Sequence, residues 1–378
     1  MAARVVIVGT GYAGTGVVQA LHTAPSIDLT WISDTPYHLV KHEIHRLIRS
    51  PTVADKLTIP IDRMRTNGVS FREARMVGFE PEEKIITLTS GETIPYDYLV
   101  ITVGAKPAYY GIPGMKKYAM SLAGVTDALE IHEALQHSFK SNETRVVIGG
   151  AGLTGVQVAG EVAGLAEESE ANVEITLIEA LDTILPNSPE SLREKVYHAL
   201  EAKEISVNTG SPIVEATPDS VIVDGDQTIP WDLLLWTGGI TGIEMDGKDQ
   251  LDQQRNRIHV AETLQSSDRH IFALGDGAFI DQPGRPAPPT AQAAWQAAPV
   301  AATNVQAAID GKSLTPWKFE NKGTVVSIGD SAFAHGIPGV GDRAIGSIPA
   351  QFLKKVIAAR WIGGVSSWRH AASLWPTL

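Results

Sequence analysis

Two glycine clusters carry the chemistry that this sequence offers most plainly. Gly9-Thr-Gly11-Tyr12-Ala13-Gly14 and Gly150-Ala-Gly152-Leu153-Thr154-Gly155 both read G-x-G-x-x-G. Glycines at these places let the backbone approach a pyrophosphate. A helix starting inside the cluster would aim free N–H groups and its positive dipole end at that group. Such a site needs an acid about 20 residues further on, at the end of the second strand, to bond a ribose hydroxyl. Asp34 stands 20 residues after Gly14, and Glu179 stands 24 after Gly155. The polar stretch 167–172 can absorb the longer second interval as a loop. An acid in the second site repels a 2′-phosphate, so NADH is expected in preference to NADPH.

The elements that must position these groups follow from the flanking residues. Arg4-Val-Val-Ile-Val and Arg145-Val-Val-Ile are short β-branched runs, and each leads into its glycines. Val17 and Leu21, like Val156 and Val162, fall on the apolar faces of the helices that follow. Strand and helix signals alternate, which predicts an α/β fold with parallel sheets and crossover helices. Gly9 and Gly150 lie 141 residues apart, so two dinucleotide-binding domains are expected. Hairpin inserts are predicted at Lys84–Thr89 with a Ser90-Gly91 turn and at Ser220–Val223 with Asp224-Gly225. Thr324–Ile328 reads as a strand, Gly336–Gly341 as a glycine-rich turn, and a basic amphipathic tail ends the chain. His38, His42 and His45 have helical spacing and read as a polar helix beside the first site, with no metal assigned. Lys106-Pro107 and Gly111–Gly114 mark the crossover between domains.

Composition narrows the chemistry. The chain has 378 residues, 43% hydrophobic and 20% charged, which suffices for sizeable cores and excludes disorder. It has no Cys. That removes disulfides, thiolate nucleophiles, zinc–cysteine sites and iron–sulfur clusters. A net charge of −12 disfavours nonspecific nucleic-acid binding. The apolar run Val5–Val8 is too short for a signal peptide, and no stretch approaches the roughly 18 apolar residues of a spanning helix.

These segments together resemble the two-dinucleotide-binding-domain flavoproteins, the pyridine nucleotide–disulfide reductase fold. Tyr96–Gly104 resembles the strand and turn that return the chain to the flavin domain, although it ends Thr102-Val103-Gly104 where Ala-Thr-Gly is usual. Ile271-Phe-Ala-Leu-Gly275-Asp276 resembles the second flavin signature, whose aspartate bonds the ribityl chain. The resemblance implies FAD on the first glycine cluster and NADH on the second. The implied FAD set is Gly9, Gly11, Tyr12, Ala13, Gly14, Asp34, Val77, Val103, Gly104, Gly275 and Asp276. The implied NADH set is Gly150, Gly152, Leu153, Thr154, Gly155, Glu179, Gly238 and Gly239, the last two leaving room beside the nicotinamide. Disulfide reductases and sulfide:quinone reductases share the outline, but their cysteine relays cannot operate here.

Within that fold the chain resembles the type II NADH dehydrogenases, single-chain NADH:quinone oxidoreductases of the membrane surface that pump no protons. Tyr37-His38-Leu39, Gly149–Glu161, Leu233–Gly242, Pro288–Gln296 and Lys322–Gly329 carry the likeness. It implies a quinone partner, with Gln292 and Gln296 four apart on one helical face beside the quinone. Gln157 stands where the family often has Glu, near the meeting point of flavin and nicotinamide. An amide there can only hydrogen-bond. The expected layout is a discontinuous FAD domain (1–110 and 243–320), an inserted NADH domain (111–242) and a C-terminal region (321–378). From Arg343 to Leu378 there are five basic residues and no acid. Phe352, Leu353, Val356, Ile357 and Trp361 form an apolar helical face from which Lys354 and Lys355 fall away, and Gly363-Gly364 is expected to break the helix. Tryptophan and basic residues on such a segment suit a lipid interface. The expected location is therefore peripheral, on the cytoplasmic face of the cell membrane, and a homodimer remains open. So do a soluble NAD(P)H oxidoreductase serving a small electron-carrier protein, and a redox-sensing flavoprotein.

Overall fold

The computed structural model describes residues 2–64, 66–225, 227–337, 345–346 and 348–375. The chain opens with β1 (Ala3–Val8), α1 (Tyr12–Leu21), β2 (Ile27–Ser33), β3 (Val69–Glu73) and β4 (Tyr98–Ile101). It then builds β5 (Met120–Ser121), β6 (Thr144–Gly149), α2 (Leu153–Glu168), β7 (Val173–Ile178), β8 (Ile205–Asn208) and β9 (Leu233–Trp236). It returns with β10 (Ile271–Ala273) and α3 (Ala291–Ile309), and ends in β11 (Thr324–Ile328), β12 (Ser331–His335), α4 (Ile348–Val365) and α5 (Trp368–Leu374).

The first sheet has the order β10-β4-β1-β2-β3 and the second β5-β9-β6-β7-β8. All pairings within both are parallel. Val5–Val8 are almost wholly buried at the centre of the first, as are Val146–Ile148 in the second. Continuous β-branched runs are what a strand covered on both faces requires. The order 2-1-4 around β1, with β10 arriving from residue 271, means that the first sheet is closed by a segment beyond the second. A two-stranded ribbon, Ala105–Pro107 against Ile240–Gly242, carries the outward and return passages side by side. The predicted hairpins form at Ile85–Leu88/Thr93–Pro95 and Ser220–Val223/Gln227–Pro230.

Helix α3 lies against α1 on small residues. Ala294, Ala297, Ala298, Ala301 and Ala302 are buried, and a Cβ on Gly16 would sit 2.5 Å from that of Ala298. The two helices therefore approach closely, which holds the N-terminal end of α1 against the returning chain.

Three expectations about the tail are corrected. Helix α4 continues through Gly363-Gly364 to Val365. A Cβ on Gly363 would lie 2.7 Å from the Trp368 ring, so this glycine makes room for α5 to fold back. Glycine inside a helix costs only about 1 kcal/mol, which such packing offsets. Lys354 does not fall away to solvent but points inward, with its side chain 15% exposed. Trp361 is buried and Leu353 half-buried, so the exposed apolar stripe consists of Ile348, Phe352, Val356 and Ile357. Residues 338–341 of the expected glycine-rich turn, Arg343 and Leu378 lie outside the described residues. His38 sits in the short strand Tyr37–Leu39, and only His42 and His45 share the 3-10 segment Lys41–Leu47. A single α-helical face for all three does not form.

Candidate functional site

Each glycine cluster folds into the same cradle. Gly9 and Gly150 take φ of 111° and 98°, in the region that favours glycine. A Cβ on Gly14 would sit 2.0 Å from the Gly9 carbonyl oxygen, and one on Gly155 would sit 1.8 Å from that of Gly150. Above Gly11 and Gly152, by contrast, a Cβ would meet nothing within 4 Å. Both loops are thus packed hard underneath and open above, where α1 and α2 present their first-turn N–H groups. That is the shape and polarity a pyrophosphate fits.

Matching braces hold both loops. Thr102 Oγ1 donates to the Val8 carbonyl at 2.7 Å, and Thr237 Oγ1 to the Gly150 carbonyl at 2.8 Å. Arg4 at the head of β1 pairs with Asp97, and Arg145 at the head of β6 pairs with Asp232, both at 2.8 Å. This repeated Arg, Asp and Thr frame was not extracted from the sequence, although Asp97 and Asp232 each stand five residues before the bracing threonine.

Around the first cradle, Gly275 approaches Ala13, with a 3.2 Å distance for an added Cβ, and Gly104 opens to space. Lys41 Nζ lies 3.8 Å from the Asp276 carboxylate. Asp34 is exposed just past the end of β2. Val103 is half-buried beside Gly104. Val77 lies in the separate strand Met76–Glu80, where its carbonyl accepts from the Asp246 N–H at 2.9 Å. The open space over Gly11 and Gly104, and the convergence of Gly275-Asp276 on α1, fit an FAD.

Around the second cradle, Glu179 is buried and its two oxygens accept the Ala151 N–H at 2.7 Å and the Leu181 N–H at 3.0 Å. Leu153 and Thr154 are exposed. Gly238 lies against the Trp236 ring, and a Cβ on Gly239 would lie 2.1 Å from the Tyr110 hydroxyl, so the space beside these glycines is already narrow.

Between the cradles lies a buried polar junction assembled from four segments. His42 Nδ1 is 2.6 Å from the Tyr12 hydroxyl. The buried Glu43 lies 3.2 Å from Lys354 Nζ, 3.4 Å from His42 Nε2 and 3.6 Å from Arg46. Lys354 donates to Ser327 Oγ at 2.8 Å and reaches His45 Nε2 at 3.3 Å. Gln157 is buried here, its amide donating to His45 Nε2 at 3.0 Å and to Ser327 Oγ at 3.2 Å. Glu161, one turn further along α2, comes within 3.9 Å of His45 Nε2. Burial pushes the Glu43 carboxyl up, but Lys354, His42 and Arg46 outweigh it and keep the group below the usual carboxylate range. Burial dominates at Glu161, raising it to about 7 against the opposing pull of Lys354, Arg49 and Arg46. Burial, reinforced by Lys354, Arg46 and His42, holds the His45 ring well below its usual value.

A second contact ties α4 to the first cradle. Trp361 Nε1 donates to His38 Nε2 at 2.8 Å, and His38 Nδ1 lies 2.7 Å from the Thr10 carbonyl. The indole ring also packs on Tyr12 and Trp295, with ring centroids 4.8 Å away in each case. The Trp361 donor fixes His38 as the neutral tautomer protonated at Nδ1. Burial lowers its pKa to about 4.

Gln292 and Gln296 do share one face of α3, but their amides are engaged. Gln292 bonds the Gly323 carbonyl at 3.2 Å and the Lys322 N–H at 3.0 Å. Gln296 bonds the Glu320 carbonyl at 2.8 Å and the Glu320 N–H at 3.1 Å. They pin the loop that leads into β11. The structure brings Gln157 together with Lys354, Ser327 and His45, but not with Gln292 or Gln296 through any direct hydrogen bond among the described residues.

Residues 3–298 match the family described as pyridine nucleotide-disulphide oxidoreductase. The chain is 28% identical to the type II NADH:quinone oxidoreductase of Staphylococcus saprophyticus, with 96% of each chain covered. It is 28% identical to the protein of the same name from Staphylococcus aureus, again over 96% of each. Its structure is similar to that of NDH2 from Plasmodium falciparum in complex with NADH, with a TM-score of 0.85 at 18% identity, covering 100% of this chain and 98% of that one. It is also similar to the sulfide:quinone oxidoreductase of Aquifex aeolicus, with a TM-score of 0.82 at 19% identity, covering 97% and 93%. The structural likenesses establish the fold.

Proposed function

The chain belongs to the pyridine nucleotide-disulphide oxidoreductase family, and from that premise we propose that it passes two electrons from NADH to a quinone through FAD, without pumping protons. The observation that carries this reading is the end-to-end likeness to the staphylococcal NADH:quinone oxidoreductases, joined to a chain with no Cys. Without thiols, electrons must leave the cofactor for the acceptor directly. FAD, when bound, supplies the redox chemistry, and the protein supplies placement and electrostatics.

In this reading Gly9–Gly14, Asp34, Val77, Val103, Gly104 and Gly275-Asp276 hold FAD. Gly150–Gly155, Glu179, Gly238 and Gly239 hold NADH. Gln157, Gln292 and Gln296 shape the wall between the reacting partners, the last two by fixing the 320–323 loop. The two sheets support a division into an FAD domain (1–110 and 243–320), an NADH domain (111–242) and a C-terminal region (321–378). No helix among the described residues is long and apolar enough to cross a membrane. The exposed Ile348, Phe352, Val356 and Trp368, with Arg360 and Arg369 also exposed, support a peripheral seat on a lipid surface, from which a hydrophobic quinone is reached. The expected surface is the cytoplasmic face of the cell membrane. The same stripe could instead pair two copies, which sedimentation with and without vesicles distinguishes.

Anaerobic stopped-flow in the flavin band tests the reading. NADH should bleach the band, and a soluble quinone should restore it. Bleaching that no quinone reverses would overturn quinone as the acceptor and favour a carrier protein or a sensing role.

A further inference from the structure

Reduction of a quinone by NADH consumes a proton from solution. NADH + H⁺ + quinone gives NAD⁺ + quinol: the hydride brings two electrons and one proton, and the second proton of the quinol must come from elsewhere. The polar junction between the cradles is buried, so a proton used there has to be held by a side chain until it is needed. On α2, position 157 carries an amide, which cannot store a proton. One turn on, on the same helical face, stands a carboxyl.

Resting on the NADH:quinone reading, we infer that Glu161 is the group that holds the proton consumed in each turnover, with the neutral His45 ring facing it across the junction. The geometry selects this carboxyl from the cluster. Glu43 also lies in the junction, but Lys354, His42 and Arg46 surround it within 3.6 Å and hold it as a carboxylate. Glu161 faces His45 at 3.9 Å. The charged groups that act on it are Lys354 from α4, Glu43 and Arg46 from the 3-10 segment, and Arg49 just beyond that segment. Arg49 is drawn off by Glu168 at 2.7 Å and Asp330 at 2.9 Å, on the outer side of the junction. Burial therefore wins at Glu161 and raises its carboxyl to about 7, so that near neutral pH it can both hold and release a proton.

His45 stays neutral opposite Glu161. Its Nε2 is turned toward Gln157, Ser327 and Lys354, with burial favouring the neutral ring. Breaking the Glu161 O–H bond leaves a carboxylate, the form that Lys354, Arg49 and Arg46 favour. The proton then leaves for the quinone oxygen, where the new O–H bond forms. The Glu161 carboxylate, left with one fewer proton, is reprotonated from solvent before the next turnover. Lys354 supplies fixed positive charge that steadies the carboxylate between these steps. The 3-10 segment fixes the distances. It is anchored at Lys41 to Asp276, at His42 to Tyr12 and at His45 to the Gln157 end of α2.

The test uses the FAD-loaded protein and Glu161→Gln, with two readouts. Infrared difference spectra of resting enzyme should show a carboxylic C=O band that disappears as pH is raised through about 7 and is absent from the variant. This readout does not depend on turnover. In stopped-flow, quinone-driven recovery of the variant should slow by about 100-fold, the scale of a lost general acid. It should also lose the pH dependence that the wild type shows across the same range, and slow far more than NADH-driven bleaching. Adding Gln157→Glu to Glu161→Gln should restore part of the rate, because it returns an acid one turn away. A purely structural role would depress both half-reactions and flavin content together, and Gln157→Glu would not rescue it. A band unchanged in Glu161→Gln, with a wild-type pH profile of recovery, would overturn the inference and leave the NADH:quinone reading standing. A titrating Glu161 band in a wild type that no quinone reoxidises would instead overturn the quinone reading, and the proton-holding role with it. If Glu161→Gln does not fold, Lys354→Met is the second variant. Removing that cation should move the band's titration to higher pH, and no movement would count against the inference.

Discussion

The two nucleotide cradles are built from one local grammar and finished differently. Both have the Arg–Asp pair, the bracing threonine and the tight floor beneath an open rim. The residue after the second glycine is Tyr12 in one and Leu153 in the other. Tyr12 is 7% exposed, lying under Trp361 from the C-terminal helix, whereas Leu153 is 38% exposed. The acids differ in the opposite sense. Asp34 is open to solvent, while Glu179 is folded into its own loop by two backbone N–H groups. A covered cradle suits a group that stays, and an uncovered, pre-braced one suits a group that comes and goes. The motif decides that a dinucleotide binds, and what the rest of the chain lays over it decides for how long.

The strongest way to break this contrast is to spoil each floor separately. Gly14→Ala and Gly155→Ala would each drive a methyl group to within about 2 Å of a backbone carbonyl, at 2.0 and 1.8 Å respectively. Backbone cannot move aside as a side chain can, so each change should cost at least about 3 kcal/mol at its own loop, or over 100-fold in nucleotide affinity. Gly14→Ala should be purified with less than about a tenth of the wild-type flavin absorbance. Gly155→Ala should keep its flavin and require far more NADH to bleach it. Equal flavin loss in both would mean that the cradles are not specialised.

Removing the cover comes next. Trp361→Ala empties a buried space between Tyr12, Trp295 and His38, which should cost about 3–5 kcal/mol and speed flavin release. Thermal unfolding and flavin fluorescence on dilution would measure both. Trp361→Phe keeps most of the packing but leaves His38 Nε2 without its donor, so about 1–3 kcal/mol should be lost. The same contact has a pH signature. His38 is held neutral in the fold, near 4, against an ordinary value of 6.5. Its contribution is complete above pH 6.5 and drains as pH falls toward 4, because the unfolded chain takes up the proton first. That depression corresponds to about 3 kcal/mol. The melting temperature of His38→Gln should therefore fall less steeply than that of the wild type over this interval. His42 and His45 retain their own share of the slope.

This contrast also marks where the sequence was legible. The glycine clusters, the hairpin turns at Gly91 and Gly225 and the strand Thr324–Ile328 are coded by adjacent residues, and the structure builds them where the residues indicate. The longer interval before Glu179 comes mainly from helix length, since α2 has 16 residues and α1 has 10. The junction had no local signal. Glu43, Gln157, Ser327 and Lys354 come from four segments spread over 300 residues, and they meet because the 3-10 segment and β11 pack on α2 while α4 packs on β11. Lys354 illustrates the difficulty. Its neighbours gave it a solvent-facing position on an amphipathic helix, and a buried carboxylate 3.2 Å away turned it inward. Gln292 and Gln296 were correctly spaced along a helix, yet spacing could not reveal that the chain 30 and 24 residues on would occupy their amides.

The smallest expected effect tests whether the shared frame is a stability device or a positioning one. Arg4 and Arg145 make the same three contacts to Asp97 and Asp232, through the backbone N–H, Nε and Nη2. The guanidinium groups are largely in water, where such pairs are worth about 0.2–1 kcal/mol, and salt screens them. Arg4→Ala and Arg145→Ala should therefore shift chemical denaturation by similar, small amounts that shrink further at high salt. Each aspartate also accepts the backbone N–H at the head of its central strand, a bond that survives removal of the arginine side chain. Asp97→Ala and Asp232→Ala remove that acceptor as well and should cost more than the arginine changes. If the Arg145 pair proves markedly the stronger, the second cradle depends on its frame because nothing covers it, and the contrast sharpens. If the two pairs are equal, the frame is a common inheritance of both sheets, and the difference between a retained and an exchanging nucleotide rests on the C-terminal helix alone.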